Sequence, residues 1–210
     1  MVSPMLELRE LACVRGGRAL FSGLNLAVRG GWLLRVSGPN GAGKTSLLRL
    51  VCGLLRPERG EVLWQGMGIG RQREEFHRQL VYIGHAAALK DDLSASENLH
   101  LAARLSGICT NERDAAAALG AVGLQGRERT LARNLSQGQR RRVALARLVL
   151  ATQAPLWVLD EPFNALDATA AAWLLQCIAA QVQRGGVVLL TSHEAALAWP
   201  EGLPQMELAL

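Results

Sequence analysis

A chain of 210 residues, half of them hydrophobic and a fifth charged, has the means to bury a core, which excludes a disordered or low-complexity segment. Its net charge of +5 suits an anionic partner, whether nucleotide, nucleic acid or acidic membrane surface, and does not choose among them. Cys13, Cys52, Cys109 and Cys177 form no C-x-x-C pair and His77, His85, His100 and His193 no ligand-spaced cluster, which argues against zinc and disulfide frameworks.

The first seven residues have neither a basic start nor an apolar core, so no signal peptide is expected and an intracellular site is. From Met5 to Val36 apolar residues alternate or run in short blocks broken by Gly16-Gly17, Gly23 and Gly30-Gly31, which predicts three or four short strands, the last at 32–36. Beyond a glycine-rich turn, Leu47, Leu48, Leu50, Val51, Leu54 and Leu55 have helical spacing that Arg56-Pro57 closes. Strands are expected at 61–65 and 80–84, and alanine- and leucine-rich helices from 94 to 151, interrupted at Ser106-Gly107, Gly123 and Gly126. Leu156-Trp157-Val158-Leu159 and residues 187–191 are continuously apolar, as in strands covered on both faces of a parallel sheet, and a helix over 168–183 lies between them. The alternation implies an α/β fold with a ligand at the carboxyl ends of the strands. No apolar run approaches the roughly 20 residues that cross a bilayer, so a membrane role is expected to come through a partner.

Gly38-Pro39-Asn40-Gly41-Ala42-Gly43-Lys44-Thr45 matches G-x-x-x-x-G-K-[ST] between a predicted strand and a predicted helix. Glycines let backbone N–H groups turn toward phosphate oxygens, and the helix start adds its positive end. Of 23 basic side chains only Lys44 and Lys90 are lysine; at Lys44 a compact ammonium on a thin stem must reach phosphate inside a tight loop. Lys44 is thus expected on the β- and γ-phosphates of ATP and the Thr45 hydroxyl on Mg2+, with Ser46 completing the phosphate-binding stretch.

The apolar run 156–159 ends in Asp160-Glu161. An acid at a strand end can hold magnesium, and the next residue, pointing another way, can reach the attacking water, so Asp160 is expected as the metal's carboxylate and Glu161 as general base. Upstream, Leu135-Ser136-Gln137-Gly138-Gln139 precedes Arg140, Arg141 and Arg142; Ser136 reads as an N-cap and the helix start as a second anion site, more than one nucleotide needs.

With these motifs in this order, the chain resembles an ABC-type (ATP-binding cassette) ATPase over nearly its whole length. The resemblance implies a single P-loop NTPase domain over 1–210, with a mainly parallel central sheet, an N-terminal antiparallel β subdomain and a helical subdomain. The nucleotide-binding core would take 5–90 and 154–210, and the helical subdomain about 91–153. It further implies that the 135–139 segment is the signature motif, completing the ATP site of a second copy in a head-to-tail homodimer. Asn164-Ala165-Leu166-Asp167 would communicate between subunits, and His193 would contact the γ-phosphate.

Three residues depart from the family pattern. His85 stands where a glutamine usually links the site to its membrane partner, and is expected near the nucleotide and its Mg2+. Arg15 replaces an aromatic platform for adenine and is expected to stack through its guanidinium plane. Gln137 stands where glycine is commoner. Residues 60–66, 82–85, 89–99 and 154–163 are similar to the ATP-binding subunits of bacterial haem exporters used in cytochrome c maturation. That implies integral membrane subunits as partners, a periplasmic haem chaperone as an indirect one, no nucleic acid, and a place at the cytoplasmic face of the inner membrane. An exporter subunit for another cargo, a soluble family member acting on nucleic acid or ribosomes, and a binding module without turnover are the alternatives.

Overall fold

Leu6, Leu8, Leu11 and Cys13 bury one face of β1 (Leu6–Arg15), which turns at Gly16-Gly17 into β2 (Arg18–Val28). The computed structural model describes residues 5–192 and 199–210, and the chain divides into two compact units. The first is Met1–Tyr82, Ala154–Asp160 and Ala179–Leu210; the second is Ile83–Gln153 and Glu161–Ile178.

In the first unit, the expected short N-terminal strands are two long bulged ones and a third, β3 (Trp32–Ser37). A register shift between Leu8 and Leu11 accommodates Glu10 at φ 47, whose N–H donates to Asn25 Oδ1 at 2.9 Å, so the pattern breaks while the strand continues. After α1 (Lys44–Val51) come β4 (Arg59–Trp64), β5 (Met67–Gly68), α2 (Arg73–Arg78) and β6 (Leu80–Ile83). β7 (Leu156–Leu159), β8 (Val187–Thr191) and β9 (Gln205–Ala209) follow. An antiparallel sheet has the order β2-β1-β4-β5, and a second sheet the order β6-β7-β8-β3-β9, in which β7–β8, β8–β3 and β3–β9 are parallel. One core joins the sheets and α1, through Leu6, Leu34, Leu47, Leu48, Val158 and Leu189.

Four elements differ from expectation, among them the two-residue β5, too short to show a period. Helix α1 stops at Val51 instead of Leu55, because Gly53 at φ 67 turns the chain and the Leu54 and Leu55 N–H groups both return to Arg49 O. Helix α2 buries Phe76 alone, so it has no apolar period to detect. Strand β9 lies against β3 with Met206 and Leu208 half-buried on the core; its five-residue alternation went unpredicted.

The second unit holds α3 (Ala95–Leu105), α4 (Glu112–Ala121), a 3-10 turn (Ala132–Asn134), α5 (Gln137–Leu145), α6 (Arg147–Leu150) and the part of α7 (Ala168–Gln183) up to Ile178. Ser94, Asn111 and Ser136 start α3, α4 and α5 with reciprocal capping boxes through Glu97, Asp114 and Gln139. Alanines 95, 115, 118 and 146 pack among Leu99, Leu119 and Val143. The unit takes in 83–90 and 161–178 besides the helical segment 91–153.

Candidate functional site

In the first unit, the turn after β3 ends at Gly43, the N-cap of α1, with φ 108 and no side chain to accept from the helix. The first-turn N–H groups therefore have neither a helical carbonyl nor a capping oxygen, the arrangement that receives an anion. The loop rests on the β2 end of the first hairpin: a Cβ on Gly43 would lie 3.1 Å from Leu20 Cβ and 3.3 Å from Phe21 Cδ1. Lys44 is only 7% exposed, and its Nζ donates to Gly38 O at 2.7 Å and Pro39 O at 3.0 Å. Two neutral carbonyl groups orient the ammonium without cancelling its charge, which remains available to an anion in the loop.

The parallel register brings the second half of this site together. Leu159 is paired with Leu190, so Asp160 follows β7 beside Thr191, and Thr191 is paired with Val36 just before the loop. Asp160 is 1% exposed; its Oδ1 accepts from Thr191 Oγ1 at 2.9 Å and from Thr45 Oγ1 at 3.3 Å. Burial first, and the negative charge of Asp160 second, push the Cys52 thiol above its usual range. A hydroxyl and one carboxylate are hard donors that suit Mg2+, which keeps water and phosphate oxygens as its other ligands. Among the described residues no group of three or more His, Cys, Asp and Glu offers an all-protein metal cage.

In the second unit, Glu161 adopts φ 49, a conformation that a side chain with a Cβ rarely takes unless its surroundings impose it. Its Oε2 accepts a hydrogen bond from Asn164 Nδ2 and lies 3.2 Å from His85 Nδ1. Arg141, 5% exposed, donates to the carbonyl oxygens of Glu161 (2.7 Å), Pro162 (3.3 Å), Gly84 (2.7 Å) and His85 (3.3 Å). At the start of α5 the exposed Ser136 caps: its Oγ accepts from Gln139 N at 3.2 Å and its N–H donates to Gln139 Oε1 at 2.9 Å. Leu135 is buried, while Gln137 is exposed and Gly138 is half-buried against Ala165. Arg142 Nη1 is 3.9 Å from Asp167 Oδ2.

The structure therefore joins Lys44, Thr45 and Asp160 through one loop and one hydrogen-bond chain, and His85, Glu161 and Asn164 through another. Arg15 is exposed at the end of β1, opposite Arg18 across the hairpin turn. His193 lies outside the described residues. Thr191, Leu20, Phe21 and Arg141 were not singled out from the sequence. A threonine ending an otherwise apolar strand was a usable signal for Thr191; within three consecutive arginines nothing marks Arg141 as the buried one.

Residues 21–164 match the model of the ABC transporter family. A "Cytochrome c biogenesis ATP-binding export protein CcmA" of Aromatoleum aromaticum is 52% identical over 194 residues, 92% of this chain and 91% of that protein. One of the same description from Pseudomonas fluorescens is 48% identical over 209 residues, 99% of this chain and 98% of that protein. A solved "Structure of ATP binding subunit of ABC transporter" superposes with a TM-score of 0.84 at 28% identity, covering 98% of this chain and 85% of that one.

Proposed function

The chain belongs to the ABC transporter family, among its cytochrome c biogenesis ATP-binding export proteins, and we propose that it is the ATP-hydrolysing subunit of a membrane complex that exports haem or releases a haem-loaded periplasmic chaperone. Among the described residues no helix is long and apolar enough to cross a membrane. In this reading the chain sits at the cytoplasmic face of the inner membrane, held there by integral membrane subunits.

The observation that carries the ATPase reading is the buried Lys44 ammonium, turned onto the Gly38 and Pro39 carbonyl oxygens of a loop whose helix start has no side-chain cap. The loop amides from Gly38 to Ser46 and Lys44 bind the triphosphate. Magnesium, when bound, supplies neutralisation of phosphate charge, and the Thr45 hydroxyl and Asp160 carboxylate are the groups that would hold it. Thr191 keeps that carboxylate oriented. Glu161 takes the proton from a water as the water oxygen bonds to the γ-phosphorus; the bond to the bridging oxygen breaks and ADP leaves with its electron pair. His85 and Asn164 aim the Glu161 carboxylate.

The remaining roles rest on family membership. Leu135, Ser136, Gln137, Gly138 and Gln139 complete the ATP site of a second copy, and Ser136, the exposed cap of α5, supports this because a helix start that faces solvent can meet a neighbour's phosphate. His193 contacts the γ-phosphate and Arg15 stacks on adenine. Bacteria carrying Glu161→Gln should lack covalently bound haem in their c-type cytochromes, read by haem staining of membrane proteins. Normal staining, with ATP hydrolysis by the purified variant abolished, would overturn the haem assignment and leave the ATPase intact.

A further inference from the structure

We propose that Arg141 is a positioning residue for Glu161, a clasp through which the helix that starts at Ser136 sets the attitude of the chain's own general base. The proposal rests on the roles given above to Glu161 and to the 135–139 segment.

A single planar guanidinium ties two separate stretches of chain. Nη1 holds Gly84 O at 2.7 Å and His85 O at 3.3 Å; Nη2 holds Glu161 O at 2.7 Å; Nε holds Pro162 O at 3.3 Å. The same two stretches supply the groups that meet on the Glu161 carboxylate: His85, with Nδ1 3.2 Å from Oε2, and Glu161 itself, with Asn164 three residues on. Glu161 has φ 49, a backbone state that persists only when the surroundings over-determine it. Arg141 holds the carbonyl of that residue from outside its own loop, and it is 5% exposed, so water does not compete for the contacts.

Residue type matters here. The fixed fork of an arginine can serve carbonyl groups in several directions within one plane, whereas a lysine ammonium has a single centre and cannot span both stretches. Location matters equally, because Arg141 stands two residues beyond Gln139, whose N–H and side chain close the capping box with Ser136. A shift of α5, when its start engages the triphosphate of a second copy, moves the guanidinium and with it the carbonyl groups of His85 and Glu161. Turnover of a chain's own ATP then depends on what its α5 has met, which couples the two ATP sites of a dimer without any contact between Arg141 and nucleotide.

The test uses the full chain with Arg141→Lys, Glu161→Gln and the double variant, measuring ATP binding and steady-state hydrolysis. Arg141→Lys should keep ATP affinity within about threefold while kcat falls about 10- to 100-fold, the cost of a misplaced base. Its Hill coefficient for ATP should fall toward one. Added to Glu161→Gln, it should cause no further loss of the residual hydrolysis followed in long single-turnover incubations, because it acts through that residue. Multiplying losses, or an unchanged kcat and Hill coefficient in Arg141→Lys beside an inactive Glu161→Gln, would overturn the clasp and spare the base. An active Glu161→Gln would overturn both. If Arg141→Lys does not fold, amide hydrogen exchange of the unaltered protein decides: with a non-hydrolysable ATP analogue, residues 139–142 and 161–164 should gain protection together. Protection of 139–142 alone would overturn the proposal.

Discussion

Gly138 and Ala165 approach so closely that a Cβ on the glycine would lie 2.7 Å from the Ala165 carbonyl oxygen. Ala165 has φ 62, and Asp167 beyond it lies 3.9 Å from Arg142, so α5 and the 164–167 loop meet along one seam. The glycine is therefore required by the contact itself, in addition to any part it takes in meeting phosphate.

Gly138→Ala must push that loop away or bend the start of α5. Overpacking of this kind costs about 1–3 kcal/mol. The variant should melt several degrees lower by calorimetry and lose most of its ATP hydrolysis while still binding ATP through the 38–46 loop, checked with a fluorescent ATP analogue.

Lys44→Arg tests the loop. The native ammonium is 7% exposed and fits between the Gly38 and Pro39 carbonyl oxygens at 2.7 and 3.0 Å. A guanidinium keeps the charge but is too broad for that place, so hydrolysis should fall at least about 100-fold, as expected when a preorganised phosphate contact is lost. Turnover near the normal rate would remove Lys44 from the phosphate site.

Thr191→Val removes the fully buried hydroxyl that donates to Asp160 Oδ1 at 2.9 Å. Depriving a buried carboxylate of a donor costs about 1–3 kcal/mol, so urea unfolding should shift to lower concentration. Magnesium-dependent ATP binding should weaken more than magnesium-free binding, because the oxygen that loses a donor is the one that Thr45 also reaches.

The cap of α3 gives a pH signature. The Ser94 N–H donating to Glu97 Oε2 at 2.7 Å, and then the Ser94 hydroxyl, hold the Glu97 carboxyl below the usual glutamate range. A pKa depressed by folding means stabilisation that is present above the unfolded value and is lost as pH falls through the folded one. Glu97→Gln should therefore be less stable than the unaltered chain at neutral pH, and the gap between their melting temperatures should close in acid. Ser94→Ala, which removes the hydroxyl that accepts from Glu97 N, should cost about 1 kcal/mol by denaturant titration.

Much of the site was legible in the sequence because its chemistry is local. The 38–45 loop needs glycine and lysine at fixed spacing, and the apolar run 156–159 ending in Asp160-Glu161 marks a buried strand whose end carries acids. The order of the strands and helices, α2, β5 and β9 aside, followed from the same periodicities. What escaped detection depends on long-range pairing. Thr191 matters because β7 and β8 lie in a register that sets it beside Asp160, and Leu20 and Phe21 because a hairpin folds against Gly43. Arg141 is one of three adjacent arginines; Arg140 reaches the exposed Asp91, and only the helical phase of α5 turns Arg141 inward.

A triphosphate held between the 38–46 loop of one copy and the α5 start of another would make dimerisation depend on nucleotide. The most direct measurement is the mass of Glu161→Gln, by sedimentation, with and without ATP and Mg2+. The expected result is a nucleotide-dependent dimer that Lys44→Ala abolishes in the same background. A chain that binds ATP yet remains a monomer at saturation, alone and beside its membrane subunits, would contradict it.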